Sequence, residues 1–150
     1  MNNRFESFTA AIFEISRCWH KLVAKEMNKF GLRGPYAVYL LTLAGHPEGL
    51  TAGQLCDLCH RDKSDVSRAM MAMKAETLIF RSGTGYRAKI TLTEKGLAAA
   101  DQVSARADQA VEIVGRDLSE EERTVFYRSL EQIADNLLEL VQNGFPDETE

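Results

Sequence analysis

Asp62-Lys63-Ser64-Asp65-Val66-Ser67-Arg68 is the stretch of this chain with most to offer a ligand. At about 100° per residue, a helix through it turns Ser64, Ser67, Arg68 and Met71 outward, with Lys63 and Lys74 at the edges. Val66, Met70 and Met73, with Ala69 beside them, form the opposite, apolar stripe and must face a core. A guanidinium can grip guanine through two hydrogen bonds. A serine hydroxyl reaches a base edge or a phosphate, and a methionine touches a thymine methyl. The plainer reading of the same residues is an ordinary solvated helix face.

Cysteine and histidine offer a second set of chemistries. Cys56-Asp57-Leu58-Cys59-His60 fits the C-x-x-C-H pattern of covalent haem attachment, although no export signal accompanies it. The same pair with His60, His20 or His46 could hold zinc, yet a structural zinc site needs four ligands at readable spacing and only one close pair exists. Packing as small core residues is the simplest role for Cys56 and Cys59. Cys18, in Ser16-Arg17-Cys18-Trp19-His20, is a candidate redox thiol if Arg17 or His20 folds close to it. No metal and no cofactor is expected. No catalytic triad or phosphate-binding glycine loop is visible, so an enzyme is not expected either.

The elements that must position the first set are readable on either side of it. Thr51-Ala52-Gly53-Gln54 is a capping box opening a short helix, with Leu55, Leu58 and Cys59 as its inner face. That helix stops at His60-Arg61, because Asp62 is the N-cap of the next. Two helices so closely joined fit helix-turn-helix geometry. Leu78-Ile79-Phe80-Arg81, the turn Ser82-Gly83-Thr84-Gly85 and a strand from Tyr86 to Leu92 predict a hairpin. Tyr86, Ala88, Ile90 and Leu92 would be buried, while Arg87, Lys89 and Thr91 face out. A helix-turn-helix followed by a basic hairpin is a winged helix, with one helix for the major groove and a hairpin for the backbone or minor groove.

Leu50-Thr51 with Gln54-Leu55, Asp62-Lys63-Ser64 with Val66-Ser67-Arg68, Leu78-Ile79, and Leu92-Thr93-Glu94-Lys95-Gly96 together resemble the MarR family of bacterial transcriptional regulators. His60 and Thr77 stand where that family often has glycine, and the wing lacks the acidic residue usual ahead of its arginine. The resemblance implies a mostly α protein with a small β-hairpin wing. Its winged helix-turn-helix core, residues 34–93, would be flanked by dimerisation helices in 4–30 and 94–143. It implies a homodimer on double-stranded DNA, more often a repressor, under control of a small aromatic or phenolic effector. Lys63, Ser64, Ser67, Arg68, Met71, Lys74, Arg81, Arg87 and Lys89 would contact DNA. Trp19, His20, Tyr36 and Tyr39 could line an effector cleft, or could equally be plain core. Two rival readings remain: a redox- or zinc-sensing regulator of the same fold, and a winged-helix protein-interaction module that does not bind DNA.

Length, composition and charge agree with one protomer of a dimer. At 150 residues and 45 % hydrophobic, the chain suits a single packed domain. Arg4, Glu6, Glu14 and Arg17 interrupt every apolar run near the N-terminus, and no stretch has the roughly 18 apolar residues of a membrane span. A soluble, cytoplasmic protein with no membrane partner is expected, and three cysteines argue against a disulfide framework. Net charge is −4, but residues 60–95 hold eight Lys/Arg against four Asp/Glu, and residues 96–150 hold four against thirteen. The positive charge thus coincides with the proposed reading unit.

Each end of the chain carries an apolar seam. Phe5, Phe8, Ile12, Ile15, Trp19 and Leu22 recur at spacings of 3, 4, 3, 4 and 3 on a helix reaching about Phe30. Phe126, Leu130, Ile133, Leu137 and Leu140 do the same on a helix that Ser119 and Glu122 cap. Between them Thr93 caps a helix through Leu97, Ala100 and Val103 to about Val114. The seams could pack on each other within one chain, or terminal helices of two protomers could share a core.

Overall fold

The computed structural model describes residues 3–146; the side chains of Phe5 and Tyr86, and residues 147–150 of the acidic tail, lie outside the described residues. The architecture is mostly helical with one antiparallel hairpin, the winged-helix arrangement that the patterning predicts. Two compact units, 1–108 and 109–150, divide the chain. Among the described residues, no helix is long and apolar enough to cross a membrane.

The first unit opens with α1 (Arg4–Asn28), whose N-cap Asn3 accepts from the Glu6 N–H. Its last turn closes when the Leu32 N–H returns to the Met27 carbonyl, so the helix ends slightly short of Phe30. Gly31, at φ +72°, makes that reversal possible. Gly34-Pro35-Tyr36 forms a 3₁₀ turn leading into α2 (Ala37–Ala44). Tyr36, Tyr39, Leu40 and Leu43 are all buried, as their spacing predicts. They join Met27, Leu32, Leu55, Val66, Met73, Leu78 and Ile90 in one core.

Thr51 and Gln54 complete the reciprocal capping box that starts α3 (Ala52–Cys59). Its inner stripe is Ala52, Leu55, Cys56 and Cys59, and Leu58 is 50 % exposed rather than buried. The reason is angular. On a helix this short the core sees one narrow stripe centred on Leu55 and Cys59, and Leu58 points well to one side. After the turn at His60-Arg61, Asp62 accepts the Asp65 N–H at 2.8 Å and begins α4 (Lys63–Ala75).

The hairpin consists of β1 (Ile79–Ser82) and β2 (Lys89–Leu92), paired Ile79 with Leu92 through Ser82 with Lys89. The second strand is shorter than the alternation predicts. Gly83 and Gly85 both take positive φ, and the chain closes a 3₁₀ turn over Gly85–Arg87 before extending. Tyr86 and Arg87 therefore belong to the turn. Ala88 and Ile90 are buried, Lys89 is exposed, and Leu50 pairs with Ile90 as a further bridge.

Thr93 then caps α5 (Glu94–Val114), accepting the Gly96 N–H at 3.0 Å. The buried stripe is Gly96, Ala99, Ala100 and Val103, and Leu97 lies 46 % exposed beside it. Gly96 sets this rotation. A Cβ there would lie 2.0 Å from the Leu78 carbonyl oxygen, so only glycine allows the helix to approach so closely. In the second unit Ser119 and Glu122 form the expected capping box of α6 (Glu120–Asn143). Arg123 braces its first turn, donating to the Gly115 carbonyl and to Glu112.

Candidate nucleic-acid interface

Helix α4 separates its residues as the periodicity predicts. Val66, Ala69, Met70 and Met73 are between 0 and 8 % exposed. Lys63, Ser64, Ser67, Arg68, Met71 and Lys74 are all exposed, Met71 by 71 %. The outward face thus presents two hydroxyls, a guanidinium, a thioether and two ammonium groups within one helix of thirteen residues. Helical spacing alone brings these six together. Asp62 caps the first turn by accepting the Asp65 N–H at 2.8 Å, so neither serine is needed as the N-cap.

The candidate wing residues lie on the hairpin. Arg81, exposed on β1, donates from its guanidinium to the Gly85 carbonyl at 3.0 Å, which ties the strand to the turn. Arg87 is exposed in the 3₁₀ turn, and Lys89 is exposed at the start of β2. The hairpin therefore offers three exposed cations, one on each strand and one in the turn between them.

Asp65 is the one acid in the first turn of α4, and its surroundings were not legible from spacing. Tyr39, fully buried on α2, donates its hydroxyl to Asp65 Oδ2. On the other side, Asp65 Oδ1 lies 3.6 Å from the Arg68 guanidinium. The Tyr39 hydrogen bond, helped by Arg61 and Arg68, holds the Asp65 carboxyl below the usual carboxylate range. Burial, and then the bond to Asp65, push the Tyr39 phenol above its ordinary value. Nothing in the sequence points to this pair, because Tyr39 and Asp65 are 26 residues apart on different helices.

The other candidate residues are dispersed. Trp19 is half-buried and His20 exposed on α1, where His20 Nδ1 and Ser16 Oγ share a hydrogen bond at 3.3 Å. Tyr36 and Tyr39 are buried, with ring centroids 6.3 Å apart. Cys18 is exposed, with its thiol 3.6 Å from a Glu14 oxygen and 3.7 Å from the Arg17 guanidinium. Cys56 is half-buried and Cys59 buried, the latter donating to the Thr42 hydroxyl. Among the described residues, no three His, Cys, Asp or Glu side chains converge as a metal site requires.

Sequence comparison finds no matching protein-family model and no matching curated protein. Comparison of structures does find relatives. A MarR transcriptional regulator from Methanosarcina mazei Go1 superposes with a TM-score of 0.79 at 23 % identity, over 93 % of this chain and 94 % of that one. The MepR–DNA complex of S. aureus matches at 0.76 and 21 %, over 87 % and 97 %. A Listeria monocytogenes protein assigned to the MarR family, complexed with 26mer DNA, matches at 0.77 and 19 %, over 91 % and 94 %. The fold is that of the MarR transcriptional regulators across nearly the whole chain.

Proposed function

From the MarR fold as premise, we propose that this protein is a sequence-specific DNA-binding transcription regulator acting as a homodimer. The observation that carries the reading is the outward face of α4, where Lys63, Ser64, Ser67, Arg68, Met71 and Lys74 are all exposed over a fully apolar inner stripe. Each protomer lays that helix in a major groove, and two grooves about one turn apart make the site nearly palindromic. Arg68 and Ser64 read base edges, with Ser67 and Met71 beside them. Lys63, Lys74, Arg81, Arg87 and Lys89 hold phosphates or the adjacent groove. Two structures of the same fold, from S. aureus and L. monocytogenes, are complexes with DNA, which supports this docking.

Exposed seams on the terminal helices support the dimer. On α1, Phe8, Ile12, Ile15 and Leu22 are 36–62 % exposed, and on α6 no residue is buried at all. A stable soluble chain rarely leaves such apolar rows open to water. A second copy covers them and doubles the DNA footprint. Repression is the mode that the family resemblance implies. An aromatic or phenolic effector would act by favouring one spacing of the two reading helices over another. Trp19 and His20 are reachable by such a ligand, whereas Tyr36 and Tyr39 are packed and become reachable only if the core opens.

Selection of bound fragments from random DNA, followed by binding at graded salt, tests the proposal. A shared near-palindromic site and a steep fall of affinity with salt are the expected results. Recovery of no common sequence, or binding indifferent to salt, would overturn it.

A further inference from the structure

Arg68 is the strongest candidate base reader, yet it stands 65 % exposed on a long flexible side chain. A base-reading guanidinium needs a fixed direction before DNA arrives, since ordering it on contact lowers affinity and selectivity. Its ion-pair neighbour is Asp65, one helical turn earlier, with 3.6 Å between Arg68 Nη2 and Asp65 Oδ1. An ion pair between two mobile surface side chains would fix little. Asp65 is not mobile in that sense. Its backbone N–H is held by the N-cap Asp62 at 2.8 Å, and its Oδ2 accepts the hydroxyl of Tyr39. Tyr39 is 0 % exposed, locked in the core beside Leu40 and Leu43.

We propose that Tyr39 is a positioning residue for Arg68: its buried hydroxyl fixes one oxygen of Asp65, and the other oxygen tethers the guanidinium on the reading face. This inference rests on the reading of α4 as the base-contacting helix. The two carboxylate oxygens have separate jobs, one facing the core and one facing the groove. The 3.6 Å approach is through Nη2, and a guanidinium has five N–H donors, so one carboxylate oxygen does not use up the fork needed for a bidentate contact. The tether also runs from α2 to α4, so a change in the packing of α2 would reach the reading arginine without moving the helix axis.

The experiment measures binding of the full-length protein to its selected DNA site and to the same site with each base pair substituted in turn. Wild type, Arg68→Ala, Tyr39→Phe and the Tyr39→Phe/Arg68→Ala double variant are compared. Arg68→Ala identifies the base pair that Arg68 reads. Tyr39→Phe is expected to narrow discrimination at that pair by roughly three- to tenfold. It should leave discrimination elsewhere intact and have no further effect on discrimination when Arg68 is already alanine. Asp65→Asn, at a partly exposed position, reads the same tether should Tyr39→Phe fail to fold, and is expected to narrow the same base pair. Full discrimination in Tyr39→Phe, or in Asp65→Asn where that variant stands in, overturns the inference alone. So does an equal loss for every sequence, or the same loss with and without Arg68. A wild-type protein that prefers no sequence overturns the regulator reading and this inference with it.

Discussion

Arg68 and Lys89 carry the same charge and are assigned different work. Arg68 projects from the outward face of α4 proposed to read bases, and Lys89 stands exposed at the start of β2. Arg68→Ala should cost about 1–3 kcal/mol of specific binding and relax selectivity at one base pair. Lys89→Ala should weaken all sequences alike and flatten the dependence of affinity on salt, as loss of a phosphate contact does. Titration of both variants against matched and mismatched duplexes separates the two roles. The Tyr39–Asp65 pair adds a pH signature. Asp65 is depressed in the folded state, so its contribution is present above its unfolded value of about 3.9 and is lost as pH falls through the folded one. Tyr39 is raised, so its contribution is present below about 10 and is lost as pH rises through the folded value. Ultraviolet absorbance titration should find a late tyrosine ionisation above the ordinary phenol range, and Tyr39→Phe should remove that late step.

At the scale of the element, both ends of α4 are set by residues in the left-handed region. His60 closes α3 at φ +50°, and Thr77 follows α4 at φ +57°. Both stand where the sequence departs from the glycine usual in the family it resembles, and the backbone keeps the glycine geometry regardless. A β-branched residue in that region is strained. Thr77 is held there by partners: its hydroxyl donates to the Glu76 carbonyl, and its own carbonyl accepts from Thr93 at 2.7 Å. Lys95 adds a bond to the Glu76 carbonyl at 2.9 Å. The Thr93-Glu94-Lys95-Gly96 segment therefore docks the start of α5 against the end of α4. His60 is exposed at its own left-handed position, so His60→Gly should stabilise the fold by up to about 1 kcal/mol in denaturant unfolding. Gly96→Ala should do the reverse by about 2 kcal/mol or more, because its Cβ would meet the Leu78 carbonyl inside any tolerable distance.

At the scale of the molecule, the apolar rows of α1 and α6 are the features that one chain leaves unfinished. Leu130 is 43 % exposed, and no residue of α6 is buried. Leu130→Glu should therefore leave the helical content of the single chain intact while splitting the proposed dimer. Sedimentation and circular dichroism measure the two halves of that expectation. Affinity for the proposed near-palindromic site should fall steeply with the loss of one of the two proposed reading helices. A Leu130→Glu protein that stays dimeric would place the shared surface elsewhere.

Local signals were enough to read the elements. Capping boxes at Thr51 and Ser119, the N-cap Asp62 and the stripe Val66-Met70-Met73 depend only on neighbours within a turn or two, and they fold as their spacing predicts. The outward face of α4 follows from the same periodicity, and the charge map from a count along the chain. Tertiary packing decided the rest. Which side of α3 and α5 turns inward depended on contacts distant in sequence, so Leu58 and Leu97 ended at the surface and Gly96 against Leu78. The wing strand was shortened by two glycine turns that alternation does not register. The Tyr39 hydroxyl met Asp65 because residues of α2 and α4 share one core, and a hydrogen bond between groups 26 residues apart leaves no period in the chain for the eye to find.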